Sequence, residues 1–330
     1  MRNKIDKSIR VFEENFKIAK SSFALNSSNE ACGCASALIG RNEAVSKEQL
    51  MEAKRLVKNS TGIFSTIGRG NASQALMATI AVEADPQYAF ERINAIYKML
   101  DKRFINSDYL VLSAIMIYKN TTPGEYEHMT ARTRHIYELI RKDHPMITGR
   151  EDIVNCTLMA LSGIDLEVLR ERCEEYFIAL KKYYRNKNKI QYIACMMSIF
   201  DGDITESAAG AKNIQNHLKS LGITYDPPAL PIIGAITVIV DKNDLDLVCR
   251  EIRDVSDRLH KIHGMGALGA GKKFRNMIAA AIVMDAYAAS STKLVGSSVS
   301  AAIVSAIIAA ETAAICAVAA ASVAASSASN

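Results

Sequence analysis

Three stretches of the chain can be laid over one another: INAIYKMLDKRF (93–104), TRHIYELIRKDH (133–144) and CEEYFIALKKYY (173–184). Each runs apolar, aromatic, any residue, apolar, apolar, and then basic. Ile96, Ile136 and Tyr176 hold the same place in the three, at intervals of 40 residues. The register continues downstream to Ile214 and Val255, at intervals of 38 and 41, and upstream to Leu56 and Phe16, each at 40. That makes seven units. Self-similarity at this period marks a repeat array, in which each unit is one supersecondary piece that buries its apolar face only against its neighbours.

Each unit reads as two helices. The first carries the anchor residue, with apolar partners three and four residues on: Ile96, Met99 and Leu100, then Ile136, Leu139 and Ile140. This is an amphipathic pattern that leaves one face for solvent. The second helix is apolar nearly all round, as in ALMATIAV (75–82), LVLSAIMIY (110–118), CTLMALSGI (156–164), YIACMMSIF (192–200), IIGAITVIV (232–240) and MIAAAIVM (277–284), and such a helix lies between neighbours. The β-branched ITVIV run resembles a strand, but its place in the repeat predicts a helix. An aromatic follows the anchor at Tyr97, Tyr137 and Phe177, and rings recur eight residues after it at Phe64, Phe104, His144, Tyr184 and His263. These rings, His263 included, are expected in the core. The fold class is therefore all-α: an α-solenoid of about seven two-helix units, either an open HEAT/armadillo-like arc or a closed α/α toroid. Residues 1–289 form one helical-repeat domain, and 290–330 form an Ala/Ser-rich helical tail.

The composition fits this reading. Among 330 residues, 49% are hydrophobic and 23% charged, with six Pro and no Trp. So apolar a chain offsets the entropy of ordering and excludes general disorder. A net charge of +5 permits an anionic partner without demanding one. The charged N-terminus lacks the apolar core of a secretory signal. The seven Cys include no C-x-x-C pair, and they read as small buried residues in a reducing compartment, so a cytoplasmic protein is expected. In the tail, Leu294–Ala310 is uncharged, but Ala and Ser are weakly lipophilic and Glu311 ends the run, so no membrane span is expected. The tail instead caps the last unit or pairs with another copy of the chain as a homo-oligomer.

The stretches NSTGIF (59–64), ARTRHIYEL (131–139) and GMGALGAGKKFR (264–275), together with the Ala/Ser-rich C-terminus, resemble an uncharacterised bacterial family catalogued as domain of unknown function 4003. The resemblance spans nearly the whole chain. It implies a helical architecture and brings no activity with it.

Several constellations invite chemistry. The segment Gly264, Gly266, Gly269, Gly271, Lys272, Lys273 contains G-x-x-x-x-G-K. A phosphate-binding loop needs a preceding strand and a Ser or Thr after its lysine. Here a helix precedes the segment and Lys273 stands where the hydroxyl belongs. The weaker reading is an anion held at a helix start by free N–H groups with Lys272, Lys273 and Arg275. The plainer one is a tight turn in which glycines permit close packing. Arg92, Arg132 and Arg172 fall four residues before the anchor in three successive units. Stacked, they form a row that grips an anion or pairs with acids of adjacent helices such as Glu127 and Asp165. The run Lys181–Lys189 sets five charges beside Tyr183 and Tyr184, which suits single-stranded nucleic acid, although Tyr184 is also a repeat position. Glu125 and His128 match half of a di-iron motif that would need a second half. No complete catalytic set is present and no cofactor is expected. The sequence reads first as a non-catalytic scaffold for a protein or peptide partner, second as an anion or nucleic-acid binder through its basic loops, and third as a toroid enzyme with a site near 264–275.

Overall fold

A computed structural model describes residues 1–23, 28–62, 65–70, 72–225, 229–267 and 269–288. The described residues are all-helical. Seven helices carry the seven anchors: α1 (Arg2–Ser22), α3 (Lys47–Ser60), α6 (Pro86–Asp101), α8 (Tyr126–Asp143), α10 (Leu166–Leu180), α12 (Ile204–Ser220) and α14 (Leu245–His260). Each is followed by an antiparallel partner: α2 (Ser28–Ser36), α5 (Ser73–Ala81), α7 (Asp108–Asn120), α9 (Asp152–Leu161), α11 (Lys187–Met197), α13 (Pro231–Ile239) and α15 (Gly271–Ala288). A single extra turn, α4 (Thr66–Arg69), precedes α5. The first four residues of the ITVIV run lie in α13, as its repeat position requires, and Val240 ends the helix in an extended conformation. The tail, together with Phe64, lies outside the described residues.

The division of labour follows from the side chains. On α14 the buried residues are Val248, Cys249, Ile252, Val255, Ser256 and Leu259, a single stripe at helical spacing. On α7 every residue from Leu110 to Ile117 is buried. Anchor helices therefore form an outer layer with one wet face, and their partners form an inner layer. Six anchors are buried, and Leu56 is half-buried against the same core.

The outer helices begin with deliberate caps. Asp85 accepts the Tyr88 N–H at 2.9 Å, Asp165 that of Glu167 at 2.9 Å, and Asp203 that of Glu206 at 2.7 Å. Ser46 with Gln49 and Thr122 with Glu125 form capping boxes. Each cap satisfies an orphan N–H at the helix start and contributes about 1 kcal/mol.

Successive units are joined by a recurring clasp. The side chain two residues before five of the seven anchors closes over the end of the preceding outer helix. Lys54 lies over the Phe23 ring and donates to the Ser22 carbonyl at 2.6 Å. Arg134 lies over Phe104 and donates to the Arg103 carbonyl at 2.7 Å. Glu174 pairs with His144, Lys212 lies over Tyr184, and Arg253 donates to the Leu221 carbonyl at 2.9 Å. The rings continue the contact across the junction. Phe104 meets Tyr137 edge-on with centroids 5.3 Å apart, and His144 stacks on Phe177 at 4.0 Å.

The array closes. α1 packs against both α14 and α15. Lys4 reaches the Asp285 carboxylate at 3.0 Å and its carbonyl at 2.8 Å, and Arg258 pairs with Asp6 at 2.7 Å. Cys32 of the first unit touches Met265 of the last at 3.4 Å. Of the two architectures open to the sequence, the chain adopts the toroid. The concave surface of an open solenoid is thereby turned inward. One expectation fails: His263 is exposed. Its place in the repeat coincides with the turn that meets the first unit, where no eighth unit follows to cover the ring.

Phe16 is the residue on which the seam rests. It is fully buried, and a Cβ added at Gly264 of the last unit would come within 3.3 Å of its Cζ. Phe16→Ala should cost about 3–5 kcal/mol, read as a lower denaturant midpoint with unchanged far-UV signal before the transition. A loss below about 1 kcal/mol would show that the seam does not carry the ring.

Candidate functional site at the basic end of the ring

Because every unit runs outer helix then inner helix, all outer-to-inner connections emerge at one end of the ring and all inner-to-outer connections at the other. The two ends differ in charge. The outer-to-inner segments hold eight basic residues against two acids, and the inner-to-outer segments nine acids against two basic residues. Four of those acids, Asp85, Glu125, Asp165 and Asp203, are engaged in the caps described above. At the basic end, Lys102, Lys181 and Lys261 follow outer-helix C-termini, where cations complement the helix dipole.

The structure places the sequence candidates in different parts of the ring. The arginine row lies toward the acidic end and serves the inner helices. Arg132 donates to the Ala160 carbonyl at 3.1 Å and also to that of Ile164. Arg172 pairs with Asp201 at 2.5 Å, just past α11. Arg92 lies over the Tyr88 ring at 4.7 Å. Arg132 thus caps carbonyls that an inner helix leaves unpaired at its C-terminus, and Arg172 pairs across the same junction in the next unit.

The glycine segment folds on itself. Gly269 donates its N–H to the Gly266 carbonyl at 3.0 Å, Ala270 to Gly264 at 2.9 Å, and Gly271 to Gly266 at 3.0 Å. Arg275 is buried and donates to the Met265 carbonyl at 2.7 Å. Three N–H groups of the segment, those of Gly269, Ala270 and Gly271, are thus already bonded within the turn. Gly264 and Gly271 adopt φ of 94° and 84°, a region open to glycine at little cost. Lys272 reaches away from this turn to Gly222, where a Cβ would lie 3.5 Å from its Nζ.

In the Lys181–Lys189 run, Tyr184 is buried and Tyr183 packs half-buried against the core. Neither ring is free to stack on a base. Among the described residues no group of His, Cys, Asp and Glu is placed to hold a metal ion. Glu125 is engaged in its capping box.

Lys189 instead joins a feature that the motifs did not disclose. A cavity of about 310 Å³ opens between the fifth and sixth units. Among the described residues its lining includes Lys189, Lys212, Lys219, Gln215 and Tyr225, and no acid. Leu218, Ile223 and Ile233 give it an apolar floor. Among the described residues none of the three lysines has an ion-pair partner; Lys212 rests 5.0 Å over the Tyr184 ring and 3.4 Å from the Gln215 carbonyl oxygen. The Tyr184 and Tyr225 hydroxyls are buried without hydrogen-bond partners. Burial pushes the Tyr225 phenol up, so it stays a neutral donor. The signal for this site was present in the repeat. Where the fourth and fifth units place Tyr137 and Phe177, the sixth has Gln215, and eight residues past its anchor stands Gly222 instead of a ring.

A second polar group lies deeper. Asp152 of α9 is buried, accepting from the Gly149 N–H at 2.8 Å and from Gln191 of the next unit at 2.9 Å. Burial dominates and raises its carboxyl to about 7.

The fold and this end together define a closed all-α toroid of seven helical hairpins with one basic end. The chain belongs to the family described as a protein of unknown function (DUF4003), which matches residues 15–313. No curated protein and no solved structure matches the chain.

The Asp152 carboxyl gives a pH signature. Its folded value of about 7 exceeds the unfolded one of about 4, so within that window the folded state holds a proton that the unfolded state has released. Stability from this group is therefore full below about 4 and is lost as pH rises toward 7. Asp152→Asn should flatten this part of the profile. Thermal midpoints of both proteins from pH 4 to 8 would test it, and parallel curves would refute the assignment.

Proposed function

We propose that the protein is a non-catalytic binding ring whose basic end receives an acidic protein or peptide partner. The observation that carries this reading is the placement of two large apolar side chains among the cations of that end. Ile105 is 68% exposed and Met146 93% exposed, on consecutive outer-to-inner connections. Lys102, Arg141, Lys142 and Arg150 lie beside them in sequence. Exposed apolar residues rimmed by charge of one sign suit an amphipathic segment of the opposite sign, with apolar anchors supplying affinity and charge supplying steering. Ring closure favours an end over the inner wall as the docking surface, since the inner helices are buried all round.

A cytoplasmic setting accords with this reading. The six described cysteines are buried free thiols, including Cys173 and Cys195 with sulfurs 3.8 Å apart, and no described helix is long and apolar enough to cross a membrane.

The test is affinity capture from native lysate with the wild-type ring and with an Ile105→Asp/Met146→Asp variant, both side chains being exposed and dispensable for folding. A stoichiometric acidic partner should be retained by the wild type, released as salt is raised, and lost from the variant. Retention by both proteins alike, or by neither, sinks the proposal. An oligonucleotide bound at low salt and displaced steeply with salt would favour the nucleic-acid reading instead.

A further inference from the structure

We infer that the cavity between the fifth and sixth units is a binding site for a small organic phosphate, created where the repeat lacks one of the two rings that meet at a junction. At the two preceding junctions a ring eight residues past one anchor packs on the ring that follows the next anchor: Phe104 on Tyr137, and His144 on Phe177. At the next junction Tyr184 is in place, but its partner position is Gln215. Beside Gln215 opens the cavity of about 310 Å³. That is at the small end of ligand pockets, which run from roughly 300 to 1,000 Å³.

An ordinary packing defect would be apolar and dry. This one is not. Lys189, Lys212 and Lys219 line it, and among the described residues no acid joins the lining and no anion neutralises them. Gathering like charges costs folding free energy, which a bound anion of two or more charges would offset. The buried Tyr225 hydroxyl has no acceptor, and a buried unpaired donor is costly until an acceptor arrives. A phosphate group supplies both the charge and the acceptors. The floor of Leu218, Ile223 and Ile233 then takes an organic body about the size of the missing ring. Lys272 and Arg253 flank the same loop from the last unit, close to Gly222, and extend the positive field over the mouth. The site is independent of the partner surface around Ile105 and Met146, which belongs to the third and fourth units.

The experiment uses calorimetry and thermal shift on the full chain with phenyl phosphate, inorganic phosphate and phenol, each against sodium chloride at matched ionic strength. Phenyl phosphate should bind with a Kd below about 1 mM, inorganic phosphate more weakly, and phenol not at all. Gln215→Phe restores the repeat's ring. It should raise the unliganded melting temperature by roughly 2 °C and weaken phenyl phosphate at least tenfold. Lys219→Gln, at an exposed position, should fold normally and weaken binding several-fold even if the filled variant does not fold. A thermal response to phenyl phosphate no larger than to chloride overturns the inference. So does undiminished binding by a well-folded Gln215→Phe or by Lys219→Gln. Binding of inorganic phosphate as tight as phenyl phosphate would overturn the organic part of the assignment.

Discussion

The ring depends on one contact made again and again: the side chain two residues before an anchor closing over the end of the helix before it. The chemistry varies while the geometry holds. Lysine over phenylalanine, arginine over phenylalanine, glutamate on histidine, lysine over tyrosine and arginine on a bare carbonyl all occupy the same place. A two-helix unit has no core of its own, so its stability is a sum of what it does internally and what it does to its neighbour. The clasp fixes the neighbour's register. It buries the stem of a long side chain on a ring while leaving the charged head a partner, and several clasps also satisfy carbonyls that the helix end leaves unpaired. Without a constant register, the small rotation between units would not accumulate to a closed circle.

Closure changes what each layer can do. In an open array the inner helices would line a groove. Here their small polar groups bond to one another instead. Thr157 donates to Ser113 across a junction at 2.9 Å, and Gln191 to Asp152. These groups are spent on holding neighbouring units in line, although the Gln191 amide oxygen is buried without a partner of its own. Contact with other molecules is left to the outer wall and the two ends.

Much of the architecture was legible in the chain because the repeat is written in large side chains. Phe16, Ile96, Ile136, Tyr176, Ile214 and Val255 are buried where the period placed them, and even ITVIV yielded to the period over its β-propensity. Closure was not legible. It rests on Lys4, Asp285, Arg258 and Asp6, pairs separated by some 250 residues or more that no local pattern links. The conformation of the glycine segment was hidden for a related reason. Its spacing is that of a phosphate loop, but the Gly269, Ala270 and Gly271 N–H groups bond within a turn whose shape the sequence does not show. The cavity was hidden because motif reading looks for what is present. Gln215 and Gly222 matter by what they replace, and only the alignment of units makes a missing ring visible.

The charge difference between the ends follows from the same topology. A ring of identical hairpins sends every outer helix start to one end. Those starts need oxygen caps, so Asp85, Asp165 and Asp203 gather there, each already accepting a backbone N–H. An acid so engaged is committed to structure and offers little to a ligand. The opposite end carries outer-helix C-termini, whose carbonyls are met by cations on long flexible stems. A lysine that complements a dipole loses little by also meeting an anion, since the dipole interaction is weak and falls off within a turn. The two ends therefore differ in freedom as well as in sign. Among the described residues Lys189 and Lys219 have no ion-pair partner at the basic end, whereas Lys212 is held over the Tyr184 ring by its clasp.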